Sequence, residues 1–338
     1  MANVLFIVIT PFQLMCAVEA RNVFCGADKC HLIVIDRERV GHPSSEHLTR
    51  TIDRHWDSVI RLQETKRRGL PRTLSRLWLT FKLLIHLPSN GALRNRAVFV
   101  GEPRVSWLRA LGKLFGHATV WLDDGAASLF AIADMRNSRS YRLPVDGLPH
   151  MFTIFGSAEI EAETAGGIAH NRMNEHDNAS AMHARISRGE AIIAGQWLSE
   201  AKLISQEDEL KYLQAVKSAL KDWDVTYAPH RHESQEKLDL ITAMGLPVVR
   251  LDNPMEVDFG EREAVPELLI SWYSTVLFSA RTLFPQMKVC GLRPPLSDET
   301  SDGLRQVEIV YDAMKKAGMS LVDPQHFDQF LRDFPARK

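Results

Sequence analysis

Cysteine is scarce, charge of either sign is in balance, and no long apolar run occurs. Four cysteines in 338 residues, Cys16, Cys25, Cys30 and Cys290, are too few for a disulfide framework and point to a reducing compartment. Cys25 and Cys30 are spaced like half a metal site, but no second pair follows. Zinc needs about four ligands, so buried free thiols are the expectation. A net charge of -1 supplies no global field to select nucleic acid or a membrane surface. No stretch approaches the roughly 20 uninterrupted apolar residues needed to span a bilayer. The apolar segment 4–9 has no basic segment before it and no cleavage site after it, so it reads as a buried first strand, not a leader. A GxGxxG turn, a Walker P-loop, internal repeats and low-complexity tracts are all missing, which argues against NAD- and ATP-type sites.

What is present is an ordinary globular composition, 45% hydrophobic and 25% charged. The length favours two domains. Short apolar, β-branched runs at 4–9, 31–35, 59–62, 97–100 and 119–122 read as parallel strands buried on both faces. Helical stretches are expected at 11–23, 44–54, 71–86 and 104–115, with Pro11, Pro71 and Pro103 in first turns, where a missing N–H is harmless. After a polar, irregular stretch at 134–188 the alternation resumes. Strands are expected at 191–194, 225–228, 248–251, 268–271 and 288–290, and helices at 206–219, 234–244, 274–283 and 304–317. This β-α-β-α order implies an α/β protein with two Rossmann-like, doubly wound parallel sheets. The expected division is 1–150, a connection and polar insert at 151–188, 189–320, and a C-terminal helix at 321–338 that packs back on the first domain.

Three clusters each follow a predicted strand, where open α/β sheets place ligand-handling groups. Asp123-Asp124-Gly125 is an acid pair in a tight turn, which also suits plain turn chemistry. In a partly buried turn, adjacent carboxylates raise one pKa, as a general base requires. His230, with Arg231 behind it, stands at a strand exit before a helix N-terminus, where an anion is favoured. Ser274-Thr275 opens a helix and reads as an N-cap and a phosphate seat together. His230, His232 and Glu233, the pair Asp222 and Asp224, and the histidines of the polar stretch are the candidate metal ligands. Each lacks a convincing ligand geometry, and no metal site is expected.

One segment departs from neutrality. Residues 61–96 hold nine Lys/Arg against one acid, Glu64. Leu70, Leu74, Leu77, Trp78, Phe81, Leu84 and Ile85 follow a helical period there, with Arg72, Arg76 and Lys82 off the stripe. The expectation is a helix packing this stripe on the sheet, its basic face available to an anionic acceptor or anionic lipid headgroups.

In this order the three clusters resemble motifs of the bacterial sialyltransferases of glycosyltransferase families 52 and 38, the latter including capsule polysialyltransferases. Those families carry an acidic-acidic-Gly motif, a His-Pro motif and a Ser-Ser/Thr motif. Thr10-Pro11-Phe12-Gln13, Gly195-Gln196 and Pro254-Met255-Glu256 add to the likeness, which spans roughly residues 1–295. Arg231 stands where the family usually has Pro. The resemblance implies a GT-B fold, two Rossmann-like domains facing a cleft, and inverting, metal-independent transfer of a nonulosonic acid from a CMP-sugar to a glycan hydroxyl. It makes Asp123 the base and His230 the leaving-group acid or donor, with Asp124, Gly125 and Arg231 in support. Ser274, Thr275, Glu256, Gly195 and Gln196 fall on the CMP side, and Gln13 on the acceptor side. Implied partners are a CMP-activated sugar acid and an oligosaccharide or polysaccharide acceptor, with no nucleic acid and no cofactor. The implied setting is bacterial capsule or lipooligosaccharide synthesis in the cytoplasm, and the basic 61–96 segment adds an expected peripheral contact with the inner face of the membrane. Other GT-B donors (CMP-Kdo, UDP- or GDP-sugars) and a non-catalytic polysaccharide-binding role are the alternatives.

Overall fold

The computed structural model describes residues 1–37, 56–64, 72–89, 95–102, 105–137, 145–173, 184–294 and 301–332. The chain divides into two compact units, Met1–Asp177 and Asn178–Lys338, each with its own parallel sheet.

The first unit holds β1 (Asn3–Val8), β2 (Lys29–Arg37), β3 (Ser58–Glu64), β4 (Asn95–Val100), β5 (Gly116–Trp121), β6 (Met151–Thr153) and β7 (Ile168–His170). They are ordered β3-β2-β1-β4-β5-β6-β7 and every pairing is parallel. The run Val4, Leu5, Phe6, Ile7 and Val8 is wholly buried, because β1 lies in the middle of a sheet covered on both faces. Helix α1 (Pro11–Phe24) starts at Thr10, whose hydroxyl accepts the Gln13 N–H at 3.2 Å, with Pro11 in its first turn. The sheet then grows towards β2 on one side of β1 and towards β4 on the other. The carboxyl ends of β1 and β4 therefore form the point where strand order reverses, the usual ligand position of such sheets. The other helices of this unit are α2 (Arg72–Ser89), α3 (Ser106–Phe115), α4 (Ala126–Asn137) and α5 (Ala158–Glu163).

The second unit orders β8 (Arg185–Ala194), β9 (Asp224–Ala228), β10 (Ala264–Ser271), β11 (Lys288–Leu292) and β12 (Ser320–Val322) as β12-β11-β10-β8-β9, again all parallel. Its switch point lies between β8 and β10. Helix α6 (Gln206–Ala219) is capped by Ser205, which accepts the Asp208 N–H at 3.0 Å, and carries Glu207, Asp208 and Glu209 in its first turn. Helices α7 (Gln235–Ala243), α8 (Met255–Glu261), α9 (Val276–Leu283), α10 (Ser301–Lys316) and α11 (Phe327–Arg332) complete it.

Several expectations change. Residues 151–170 are no insert: β6, α5 and β7 extend the first sheet, and strands of three residues are too short to show a period. Residues 248–251 form no strand. Only an isolated bridge joins Val248 to Tyr227, since Pro247 precedes it and Val249 turns outward, 43% exposed. The C-terminal helix α11 packs on α6 of its own unit. The helix expected at 44–54, Leu70, Pro71, Pro103 and the polar-stretch residues His176 and His183 lie outside the described residues. All four cysteines are free and buried.

Helix α2 faces the opposite way from expectation. It is apolar on two sides, and Leu79, Leu83 and Leu87, spaced four apart, supply the buried side. The longer stripe of Leu74, Leu77, Trp78, Phe81, Leu84 and Ile85 is 43–61% exposed. Leu83→Ala should therefore cost about 2–5 kcal/mol in urea unfolding, whereas its neighbour Leu84→Ala should stay within about 0.5 kcal/mol of wild type. Equal losses would contradict this orientation.

Candidate active site

In the first unit a network of hydrogen bonds fixes the exits of β1, β4, β5 and β6. Gln13 is wholly buried and works as a strut: its Oε1 accepts the Ile9 N–H at 2.8 Å and its Nε2 donates to Asp124 Oδ1 at 2.9 Å. The strut crosses the exit of β4 at Gly101, where any Cβ would collide with the Gln13 amide. Gln13 thus supports the acid pair from within, with no exposed surface of its own.

The two acids differ sharply. Asp123 is 0% exposed. Its Oδ1 accepts the Thr153 hydroxyl at 2.5 Å and its Oδ2 the Ile154 N–H at 2.8 Å, so it joins β5 to β6. Burial pushes its pKa up to about 6 against the lowering effect of these donors and of Ser128, with the Asp124 charge adding to the rise. Asp124 is half-buried at the surface of the turn; its own N–H donates to Ser128 Oγ at 2.9 Å. Gly125 follows with φ +62°, a left-handed conformation that opens helix α4. Thr153 and Ser128 carry no sequence signal of their own; their role appears only once β6 pairs beside β5.

In the second unit, the exits of β8, β9 and β10 are neighbours at one carboxyl edge. His230 lies past β9. Its N–H donates to Glu233 Oε2 at 2.5 Å, and its Nδ1 accepts the His232 N–H at 3.3 Å. That contact assigns the lone pair to Nδ1 and leaves Nε2 as the N–H donor. Burial first, then the charges of Arg231, His232 and Lys237, press the imidazole pKa down to about 4, so the ring is neutral at pH 7. Trp197, missed in the sequence although it directly follows Gly195-Gln196, is 41% exposed, with its ring centroid 6.4 Å from His230 and 5.4 Å from His232.

Beneath this edge sits Lys237, wholly buried. Its ammonium reaches Glu209 at 2.6 Å, Glu233 at 2.9 Å, Glu200 at 3.3 Å and the Gln196 carbonyl at 3.0 Å. Burial alone would lower its pKa, but Glu233 and Glu209 outweigh that and hold it above its ordinary value. Burial pushes Glu233 and Glu209 upward. Glu233 also accepts the Tyr227 hydroxyl at 2.6 Å. It is thus a buried bracket for the His230 turn, its carboxylate engaged by the Tyr227 hydroxyl, the His230 N–H and Lys237. Gly195 lies against this bracket, its missing Cβ leaving room for the Glu233 carboxylate and the Tyr227 hydroxyl. Gln196 Oε1 accepts the Tyr273 N–H at 3.0 Å and so ties the exit of β8 to that of β10.

Ser274 and Thr275 are half-buried just ahead of α9, which starts two residues later than expected. Thr275 is the N-cap residue but makes no side-chain cap; Ser274 Oγ accepts the Val276 N–H at 3.4 Å. Glu256 joins them from the first turn of α8, its Oε1 accepting the Ser279 hydroxyl at 2.6 Å one turn into α9. Burial raises its pKa. Asp222 and Asp224 are exposed at the opposite, amino end of β9. Among the described residues no group of three or more His, Cys, Asp or Glu side chains is placed to hold a metal ion.

No protein-family model matches the sequence, and no curated protein matches it. Solved structures do. An α/β-galactoside α-2,3-sialyltransferase from the luminous marine bacterium Photobacterium phosphoreum matches at a TM-score of 0.51 and 12% identity, over 94% of this chain and 98% of that one. Glycyrrhiza uralensis UGT73P12, solved with glycyrrhetinic acid 3-O-monoglucuronide, matches at 0.55 and 8%, over 96% and 81%. Arabidopsis thaliana UGT89C1, solved with UDP-L-rhamnose, matches at 0.52 and 10%, over 95% and 85%. The fold is of the GT-B type. At these identities the likeness concerns the fold, and function has to be argued from the site.

The ionisation of Asp123 is open to measurement. Its folded pKa lies above the unfolded value of about 3.9, so its contribution to stability is complete below that value and is lost as pH rises through the folded pKa of about 6. Relative to Asp123→Asn, wild-type stability should fall by about 2 kcal/mol between pH 4 and pH 7. A difference that stays flat across that window would mean that the carboxyl titrates normally.

Proposed function

We propose that the chain is an inverting glycosyltransferase that moves a nonulosonic acid, such as sialic acid, from its CMP-activated form to a hydroxyl of a glycan acceptor. The observation that carries this reading is placement. His230, Ser274-Thr275 and Trp197 leave three neighbouring strands at one carboxyl edge of the second unit, and the acid pair leaves the carboxyl edge of the first. The ordered motif likeness to bacterial sialyltransferases supplies the donor class.

In this reading the acceptor oxygen bonds to the anomeric carbon as the bond from that carbon to the phosphate oxygen breaks. The phosphate takes the electron pair and the acceptor proton passes to a carboxylate. Asp124 is that carboxylate, because it stands at the surface of the turn while Asp123 lies beneath it with both oxygens bonded inward. This reassigns the base from the first acid of the motif to the second and makes Asp123 a positioning residue. His230 is neutral, so it meets the leaving phosphate as an Nε2–H hydrogen-bond donor. Ser274, Thr275 and the first N–H groups of α9 hold the phosphate as charge develops. Arg231, exposed beside His230, adds a positive charge. Trp197 offers a flat face to the cytosine. A single phosphate charge needs neutralising, and these groups supply it without a metal ion.

The deciding assay incubates the protein with CMP-sialic acid in EDTA and follows CMP release with and without acceptor glycans. CMP-Kdo and UDP- and GDP-sugars run in parallel. Release with CMP-sialic acid, undiminished by EDTA, is the expected result. Asp124→Asn should lower kcat by about 100-fold or more while sparing CMP binding, and His230→Ala should lower kcat by a similar factor. If Asp123→Asn removes turnover while Asp124→Asn keeps it, the two acids exchange roles. Turnover with a UDP-sugar alone would transfer the reading to that donor class, and CMP binding without turnover would leave a binding protein.

A further inference from the structure

The exposed side of α2 is a feature of the first unit that transfer chemistry leaves unused. Leu74, Leu77, Trp78, Phe81, Leu84 and Ile85 lie at i, i+3, i+4, i+7, i+10 and i+11, which puts them on one face along most of the helix. All six are exposed, and Trp78 and Phe81 stack with ring centroids 5.6 Å apart. Scattered apolar residues on a surface need no explanation, but a contiguous face of large ones marks an interaction site. Three features indicate the occupant. The helix carries Arg72, Arg76, Lys82 and His86 and no acid at all. The one acid of residues 61–96, Glu64, is buried and lies 3.6 Å from Arg76, so these two charges offset each other. Lys82 extends over the Trp78 ring, its ammonium 5.7 Å from the centroid, so a cation borders the apolar face. A tryptophan flanked by a cation suits the boundary between acyl chains and headgroups. A second copy docked on the same face would bring like charges together. Among the described residues no helix is long and apolar enough to cross a membrane, so the face would lie on a bilayer surface.

We propose that the outer face of α2 docks the protein on an anionic lipid bilayer, with the six apolar side chains in the acyl boundary and Lys82 among the headgroups. This rests on the exposure and charge of α2 and is independent of the transfer reaction. The experiment is co-sedimentation of the whole protein with vesicles of phosphatidylcholine alone or with phosphatidylglycerol added, while light scattering follows its oligomeric state. Wild type should bind the anionic vesicles, bind neutral ones at least about tenfold less, and weaken in about 0.5 M salt. Leu77→Glu with Phe81→Glu should reduce anionic binding at least about tenfold with an unchanged circular dichroism spectrum. Should that variant misfold, Trp78→Ser with Ile85→Ser carries the same expectation. Wild type remaining in the supernatant, folded variants binding as well as wild type, or a dimer that the same substitutions dissolve would each overturn the proposal, the last by giving the face to a second copy.

Discussion

A single buried ammonium organises the carboxyl edge of the second unit's sheet. Lys237 has no exposure, and its three charged partners and one carbonyl come from the β8 exit, the start of α6 and the turn after β9. Without it, Glu209 and Glu233 would be left as buried carboxylates without a cation, a far larger cost than a lost surface pair. Because Glu233 also grips the His230 N–H, the position of the imidazole depends on an ion pair a layer below it. The low pKa of His230 comes from the same arrangement, since burial and neighbouring cations, Lys237 among them, oppose its protonation.

The first unit solves the same problem with neutral groups. Gln13 takes the part of Glu233, and Gly101 gives way to it as Gly195 gives way to Glu233. In both units a glycine at a central strand exit makes space for a polar side chain that ties adjacent exits together. These glycines are therefore packing requirements, and Gly195 and Gln196 serve the site by fixing its floor. The half-buried groups that remain at the two edges are Asp124, His230, Ser274 and Thr275, with Trp197 beside them.

Much of the fold was legible because central parallel strands announce themselves. The run from Val4 to Val8 is buried on both faces and reads so, and helix 206–219 appeared with the bounds found, Gln206–Ala219, set by the Ser205 cap. Short edge elements were not legible: β6, β7 and β12 have three residues each, too few for a period. The three clusters were legible as positions after strands, but the division of labour within the acid pair was not. Adjacent aspartates look alike in sequence, and only the pairing of β6 beside β5, which brings Thr153 and Ile154 to Asp123, tells them apart. Helix α2 misled for a related reason. Periodicity reveals an apolar face but not which of two faces meets the sheet, and the shorter run of Leu79, Leu83 and Leu87 took the core.

The lone bridge at Val248 bears on how the second sheet avoids company. Strand β9 is the last in its sheet, and an open edge strand is a template for a stranger's backbone. The Tyr227 N–H donates to the Pro247 carbonyl and the Tyr227 carbonyl accepts the Val249 N–H, both at 2.8 Å. These bonds occupy the outward donor and acceptor near the carboxyl end of the edge, and a chain that turns away after one residue extends no ladder. The segment thus works as a doorstop: it is too short to count as a strand, yet it denies an incoming strand a register and so guards the sheet against edge-to-edge aggregation.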